Sequence, residues 1–180
     1  MELEDDALVA ACLGGDRGAA ETLIVRYQRS VFNIARRMVG QPEDARDIAQ
    51  NVFVKAFENL ATFDSRYAFR SWIARIAINE SLNHLVLRKP AAPLDEQWPS
   101  PHPGPGEVMI GIDLSRIVEG ALLRLKPDYR CVVLLRYYHD LNYREIATVL
   151  DVPEKTVKSR LFTARQLLKE ALASHGAAEA

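Results

Sequence analysis

The chain reads as all-α, two small helical domains joined by a Pro-rich linker. Three observations predict this. Apolar residues recur at spacings of three and four in one block after another, and strand-like alternation is nowhere sustained. Punctuating residues such as Gly14, Gly15, Gly40, Pro42 and Pro127 fall at the ends of these blocks. Six of the nine prolines (Pro90, Pro93, Pro99, Pro101, Pro103 and Pro105) crowd with Gly104 and Gly106 into one stretch that cannot hold regular structure. The expected division is therefore a domain over 1–88, an extended linker over 89–107 and a second domain over 108–175. Trp98 stands alone in the linker, where its ordinary use is packing on a neighbour.

Taken in order, a short helix is expected from Leu3 to Leu13, stopped by Gly14-Gly15. Arg17 to Val39 follows, with Leu23, Ile24, Tyr27, Val31, Ile34, Ala35 and Met38 on one face and Gly40 at its end. Pro42 suits the first helical position of the third helix, and Glu43, Asp44 and Asp47 suit its positive dipole end. The buried side of that helix is Ala45, Ile48, Ala49, Val52, Phe53, Ala56, Phe57 and Leu60. A fourth helix runs from about Tyr67 to Arg88, with Phe69, Trp72, Ile73, Ile76, Leu82, Leu85 and Val86 as its apolar stripe. The second domain opens with Val108 to Leu125 and continues through Asp128 to Tyr138, whose centre is the apolar run Cys131 to Leu135. The residues Ala171 to Ala180 are expected to fray.

The last block, Asn142 to Lys169, predicts a helix-turn-helix. Asn142 and Glu145 have the spacing of a capping box. Asp151-Val152 break the pattern, and Pro153 opens a second helix whose seam is Val157, Leu161, Ala164 and Leu168. Lys155, Thr156, Lys158, Ser159, Arg160, Phe162, Thr163 and Arg165 lie largely off that seam. Such a helix can enter a major groove, its first residues at base edges and its cations at phosphates. The same pattern also describes a surface helical hairpin with a solvated charged face.

Composition narrows the function classes. Lys plus Arg number 23 against 24 Asp plus Glu, so nucleic acid would have to be bound by a local patch rather than by bulk charge. Cys12 and Cys131 stand far apart, and the four histidines are scattered, so neither disulfide nor metal site is expected. The acidic start is unlike a signal peptide, and no apolar run approaches a membrane span, which makes a cytoplasmic chain the expectation. Phosphate loops, nucleophile elbows and paired metal-binding histidines are all missing from the sequence. The Glu43, Asp44, Asp47 cluster is explained by the helix dipole, so neither an enzyme nor a cofactor is expected. The fourth helix carries a polar row, Ser71, Arg75, Asn79 and Asn83, at every fourth position, with Arg66, Arg70 and Arg88 around it. Amides for base edges, arginines for phosphates and aromatics for stacking together equip a surface to bind single strands. Periodicity alone equally allows Trp72 and Phe69 to be core and the asparagines to be merely solvated.

Three blocks, PEDARDIAQNVFVKAFENLATFD, FRSWIARIAINESLNHL and LNYREIATVLDVPEKTVKSRLFTARQLLK, together resemble the extracytoplasmic-function sigma factors of bacterial RNA polymerase. These are the smallest sigma factors, retaining only sigma regions 2 and 4. The resemblance covers nearly the whole chain and implies an alternative sigma factor without catalysis, which directs core polymerase to promoters and helps open them. Region 2 would dock on the clamp helices of the largest polymerase subunit, where Asp44, Asp47, Gln50 and Phe53 match the family's docking pattern. Arg46 and Asn51 stand where that pattern has acids, so restoring Glu at both is expected to strengthen core binding. The −10 readers would be Asn79 and Asn83 with Trp72, Arg75 and Arg88, and the loop Phe63, Asp64, Ser65, Arg66, Tyr67 would take a flipped base. Region 4 would read the −35 duplex through Lys155, Thr156, Lys158, Ser159, Arg160, Phe162 and Arg165, and meet the flap of the second-largest subunit. Thr163 occupies a place where the family often has a cation. The resemblance also implies an anti-sigma factor that wedges between the two domains. The residue patterns by themselves leave two other readings open, an ordinary helix-turn-helix regulator and a protein adaptor that touches no DNA.

Overall fold

A computed structural model describes residues 4–87 and 110–178, with side chains in the second block given over 116–173. The expected linker, including Trp98, and the expected DNA contact Arg88 lie outside the described residues. Every described element is a helix, as the hydrophobic periods predicted. The first lobe consists of α1 (Asp5–Leu13), α2 (Arg17–Val39), α3 (Pro42–Glu58), a 3₁₀ turn at Leu60–Thr62 and α4 (Phe69–Leu87). The second consists of α5 (Ile110–Arg124), α6 (Pro127–Tyr137), α7 (Tyr143–Leu150) and α8 (Glu154–Ala178).

Helix ends follow local chemistry. Asp16 caps α2 by accepting from the backbone N–H groups of Gly18 at 2.8 Å and Ala19 at 3.3 Å. Gly40 ends α2 in the left-handed region at φ 83°, and its N–H returns to the Arg36 carbonyl. Asn142 and Glu145 form the predicted capping box. Asn142 Oδ1 accepts from the Glu145 N–H at 3.0 Å, and Glu145 accepts from the Asn142 N–H at 2.7 Å. Asp151, at φ 53°, makes the sharp exit from α7. Two ends depart from expectation. Pro153 precedes α8 rather than beginning it, and α8 continues to Ala178 instead of fraying from Ala171. The alanine-rich run explains the latter, since alanine loses the least on entering a helix.

In the first lobe α2 is the central element, packed against α1, α3 and α4. Its buried Leu23, Val31, Ile34, Ala35 and Met38 meet Ile48, Val52 and Ala56 of α3 and Phe69, Ile73, Ala77 and Ile78 of α4. An aromatic cluster closes the bottom of that core. Phe69 stands 5.2 Å from Tyr27 and 5.5 Å from Trp72, and Phe63 sits 5.4 Å from Phe69. Tyr27 donates its hydroxyl to Asp5, which also takes Arg26 at 2.5 Å, so α1 is tied down by charge as well as by Leu8 and Val9. In the second lobe the predicted run Cys131 to Leu135 is wholly buried against Leu141, Ile146, Val157, Leu161 and Ala164. Burial pushes the Cys131 thiol up to about 12, so it behaves as a small hydrophobe. Cys12, half-buried, is also a free thiol.

The two lobes touch. Helix α2 contacts α5 and α6, while α4 contacts α6 and α7. Arg130 of α6, buried to 6% exposure, is the centre of this seam. Its guanidinium donates to the carbonyls of Leu122 at 3.0 Å and Leu125 at 2.9 Å at the end of α5, and to Met38 at the end of α2. Gly40 comes so close to the second lobe that a Cβ there would lie 3.1 Å from Leu123 Cδ1. No described helix is long and apolar enough to cross a membrane.

Candidate nucleic-acid interface

Three faces hold the residues that the sequence singled out. The first is the outer side of α3. Asp47 and Gln50 project into solvent as expected, beside Glu43, Arg46 and Asn51. The other two members of the set do not share that exposure. Asp44 is half-buried, its Oδ2 3.3 Å from His84 Nε2 of α4, and Phe53 is half-buried, stacked on Phe57 at 6.4 Å. Arg46 pairs with Glu43 one turn away, so it cancels an acid as well as replacing one. Val54, 55% exposed, continues the same outer stripe, one turn beyond Gln50 and two beyond Asp47. An apolar residue out of register with the buried face was the available signal for it.

The second face combines the 62–68 loop with α4. Asp64 accepts from the Arg66 backbone N–H at 3.0 Å and from its guanidinium at 2.6 Å, folding the loop on itself. Arg66 thereby holds the Asp64 carboxyl below its usual range. Ser65, Arg66 and Tyr67 are exposed, whereas Phe63 is drawn inward, 5.6 Å from Trp72, where it anchors the loop. Trp72 is amphipathic in position: part of its ring joins the aromatic cluster and part lines an open cleft. Arg75, Asn79 and Asn83 are exposed along one side of α4, as four-residue spacing requires. Ser71, placed with them by the same spacing, is instead buried, and its hydroxyl finds no partner. At the far end Val86, expected in the apolar stripe, is 79% exposed, and Ser81 takes the buried position by bonding to the Ala77 carbonyl at 2.7 Å.

The third face belongs to α8. Val157, Leu161 and Ala164 are buried, which turns Lys155, Lys158, Ser159, Phe162 and Arg165 to solvent, with Thr156 and Arg160 half-buried. Phe162, at 65% exposure, is an apolar side chain with no fold to support from there, which suits a thymine methyl or sugar contact. The cations are held in place by neighbours. Arg160 pairs with Asp128 at 2.9 Å, Arg165 donates to the Tyr137 hydroxyl at 2.7 Å, and Lys158 lies 5.9 Å from the Tyr143 ring centre. Among the described residues no group of His, Cys, Asp or Glu is arranged to hold a metal ion.

A helix-turn-helix lobe beside a helical lobe with an amide, arginine and aromatic surface defines a promoter-recognition class of protein. The sequence profile of Sigma-70 region 2 matches residues 23–89, and that of Sigma-70, region 4 matches residues 115–168. The RNA polymerase sigma-H factor of Pseudomonas aeruginosa is 33% identical, over 94% of this chain and 94% of its own. The ECF RNA polymerase sigma-E factor of Escherichia coli is 35% identical, over 93% of each. The chain therefore belongs to the extracytoplasmic-function sigma factors, and its two regions fit promoter recognition and transcription initiation. Among solved structures, CnrH in complex with the cytosolic domain of CnrY is 26% identical with a TM-score of 0.73, covering 94% of this chain and 97% of that one. The sigma factor RpoE bound to the anti-sigma factor NepR from Bartonella quintana shares the fold, at 20% identity and a TM-score of 0.69 over 85% and 96%.

Proposed function

We propose that the chain works in the cytoplasm as a non-catalytic specificity subunit, docked on core RNA polymerase through the outer face of α3. Asp47 and Gln50 make the contact, with Val54 as an apolar centre between them, and Asp44 and Phe53 set the pitch of α3 from beneath. The domain ending near residue 88 takes the −10 strand on Arg75, Asn79, Asn83 and the Ser65 to Tyr67 loop, with Trp72 offering a stacking edge. The domain beginning near residue 108 takes the −35 duplex on α8, where Lys155, Lys158, Arg160 and Arg165 meet phosphates and Thr156, Ser159 and Phe162 approach bases. The observation that carries this reading is the presence on one chain of two differently equipped surfaces, amide-rich on α4 and cation-rich on α8. A simple operator-binding regulator has use for only the second. CnrH was solved with a protein partner, which supports a protein inhibitor for this chain too.

Run-off transcription with core polymerase on a promoter library tests the proposal. Specific start sites should appear only when the protein is added, and their loss should follow Asn79→Ala. DNA binding without any stimulation of transcription would sink it.

A further inference from the structure

We infer that in the free chain the helix-turn-helix lobe roofs the strand-reading face of the other lobe, so that a −10 strand and α7 exclude one another. This rests on the reading of α4 as the strand-reading helix. Between the lobes lies a cleft of about 910 Å³, with Tyr67, Trp72, Arg75 and Asn79 on one wall and Asn142 and Arg144 on the other. Its volume is that of a site for one small ligand. A strand that runs from the loop to Asn83 must follow more than two turns of α4, and α7 stands across the first part of that path. Arg70 of α4 is occupied as well, 3.6 Å from Glu145, the capping-box residue of α7.

The roof is held from behind by contacts far from any DNA-reading residue. Ser30 Oγ meets His139 Nδ1 at 3.3 Å, and the Arg37 guanidinium lies 4.2 Å from the Tyr138 ring centre. Leu123 sits against Gly40, and Arg36 lies 3.9 Å from Glu119. These are mostly polar or partly exposed contacts, the composition of an interface that opens rather than of a shared core. Helix α8 touches none of α1 to α4 among the recorded helix pairings, so the duplex-reading face remains outside the roof. The free chain therefore presents its −35 surface while withholding its −10 surface.

The test uses the full chain and two variants that prise the seam from opposite sides, Leu123→Glu and Ser30→Trp, with circular dichroism as the control for intact helices. Small-angle scattering reports the radius of gyration. Fluorescence anisotropy with a labelled pool of random twelve-nucleotide single strands reports access to α4. If the closed form holds about nine chains in ten, both variants should expand and bind the pool about ten-fold more tightly. A wild-type chain as expanded as the variants overturns the inference. So does equal retention of the pool by all three proteins, including no retention by any. The sigma reading itself stands or falls separately, on run-off transcription by the wild-type chain.

Discussion

Arg130 illustrates how one side chain can be both indispensable and unpaired in the usual sense. No carboxylate faces it in the recorded contacts; its partners are carbonyls at the ends of α5 and α2, where the helix dipoles leave partial negative charge. Burial pulls its pKa down from the ordinary value, yet a guanidinium does not lose its proton under any condition in which the fold survives. Arg130→Ala would leave Leu122, Leu123, Leu125 and Met38 carbonyls without their donor and a void where the fork lay. The expected cost is about 3 kcal/mol or more, the range for breaking a buried charged hydrogen-bond network. Arg130→Lys keeps the charge but cannot span three helix-end carbonyls and the Met38 carbonyl at once, so it should recover only part of that loss. Guanidinium unfolding curves decide the matter. A change under about 0.5 kcal/mol for the alanine variant would show that the carbonyls satisfy themselves with water.

At the scale of elements, α3 offers the sharpest prediction because its outer face is the one whose charge departs from the family pattern. Arg46 and Glu43 are both well exposed, and such a pair contributes at most about 0.5 kcal/mol, so the fold has little stake in it. Replacing Arg46 and Asn51 by Glu should therefore leave the melting temperature nearly unchanged. It should tighten binding to core polymerase by about ten-fold at low salt, with the gain shrinking as salt rises, because charges at the edge of an interface act chiefly on association rate. Titration of labelled protein with core polymerase at two ionic strengths measures both effects; unchanged or weaker binding refutes it. The elements were legible because each of their signals is local: Gly40 ends α2, Pro42 opens α3, and the Asn142–Glu145 box opens α7. Site residues were less so. Four-residue spacing placed Ser71 with Asn79 and Asn83, but α4 is buried over so wide an arc that Ser71 falls inside it. Asp44 and Phe53 matched a pattern, yet their sides of α3 were decided by His84 and Phe57, and only packing reveals that. The link from Arg70 to Glu145 joins residues far apart in sequence, and no period could announce it.

For the whole molecule, the seam between lobes carries a titratable group that makes closure sensitive to acid. His139 follows α6, next to Asp140 in the left-handed region, and reaches Ser30 on α2. Burial first, and then the Arg37 cation on α2, depress its pKa from 6.5 to about 4, with Asp140 acting weakly the other way. Tyr138 completes the surroundings by taking the Arg37 guanidinium on its ring. An imidazole that resists protonation when folded and accepts it freely when unfolded favours the unfolded chain wherever only the latter is charged. The stabilisation is thus complete above about pH 6.5, declines as pH falls and is gone below about pH 4. At pH 5 the loss from this one group amounts to about 2 kcal/mol, taking each pKa shift unit as about 1.4 kcal/mol. His139→Asn retains a group able to bond Ser30 but cannot titrate, so its melting temperature should fall less steeply than that of the wild type between pH 6.5 and 4.5. Calorimetry of both proteins across that interval, with the background titration of carboxylates common to both, isolates the histidine. Parallel profiles would mean that His139 is as free to protonate in the closed chain as in the unfolded one. In that case the seam between α2 and the α6–α7 turn would have to be wetter than the Ser30 contact implies.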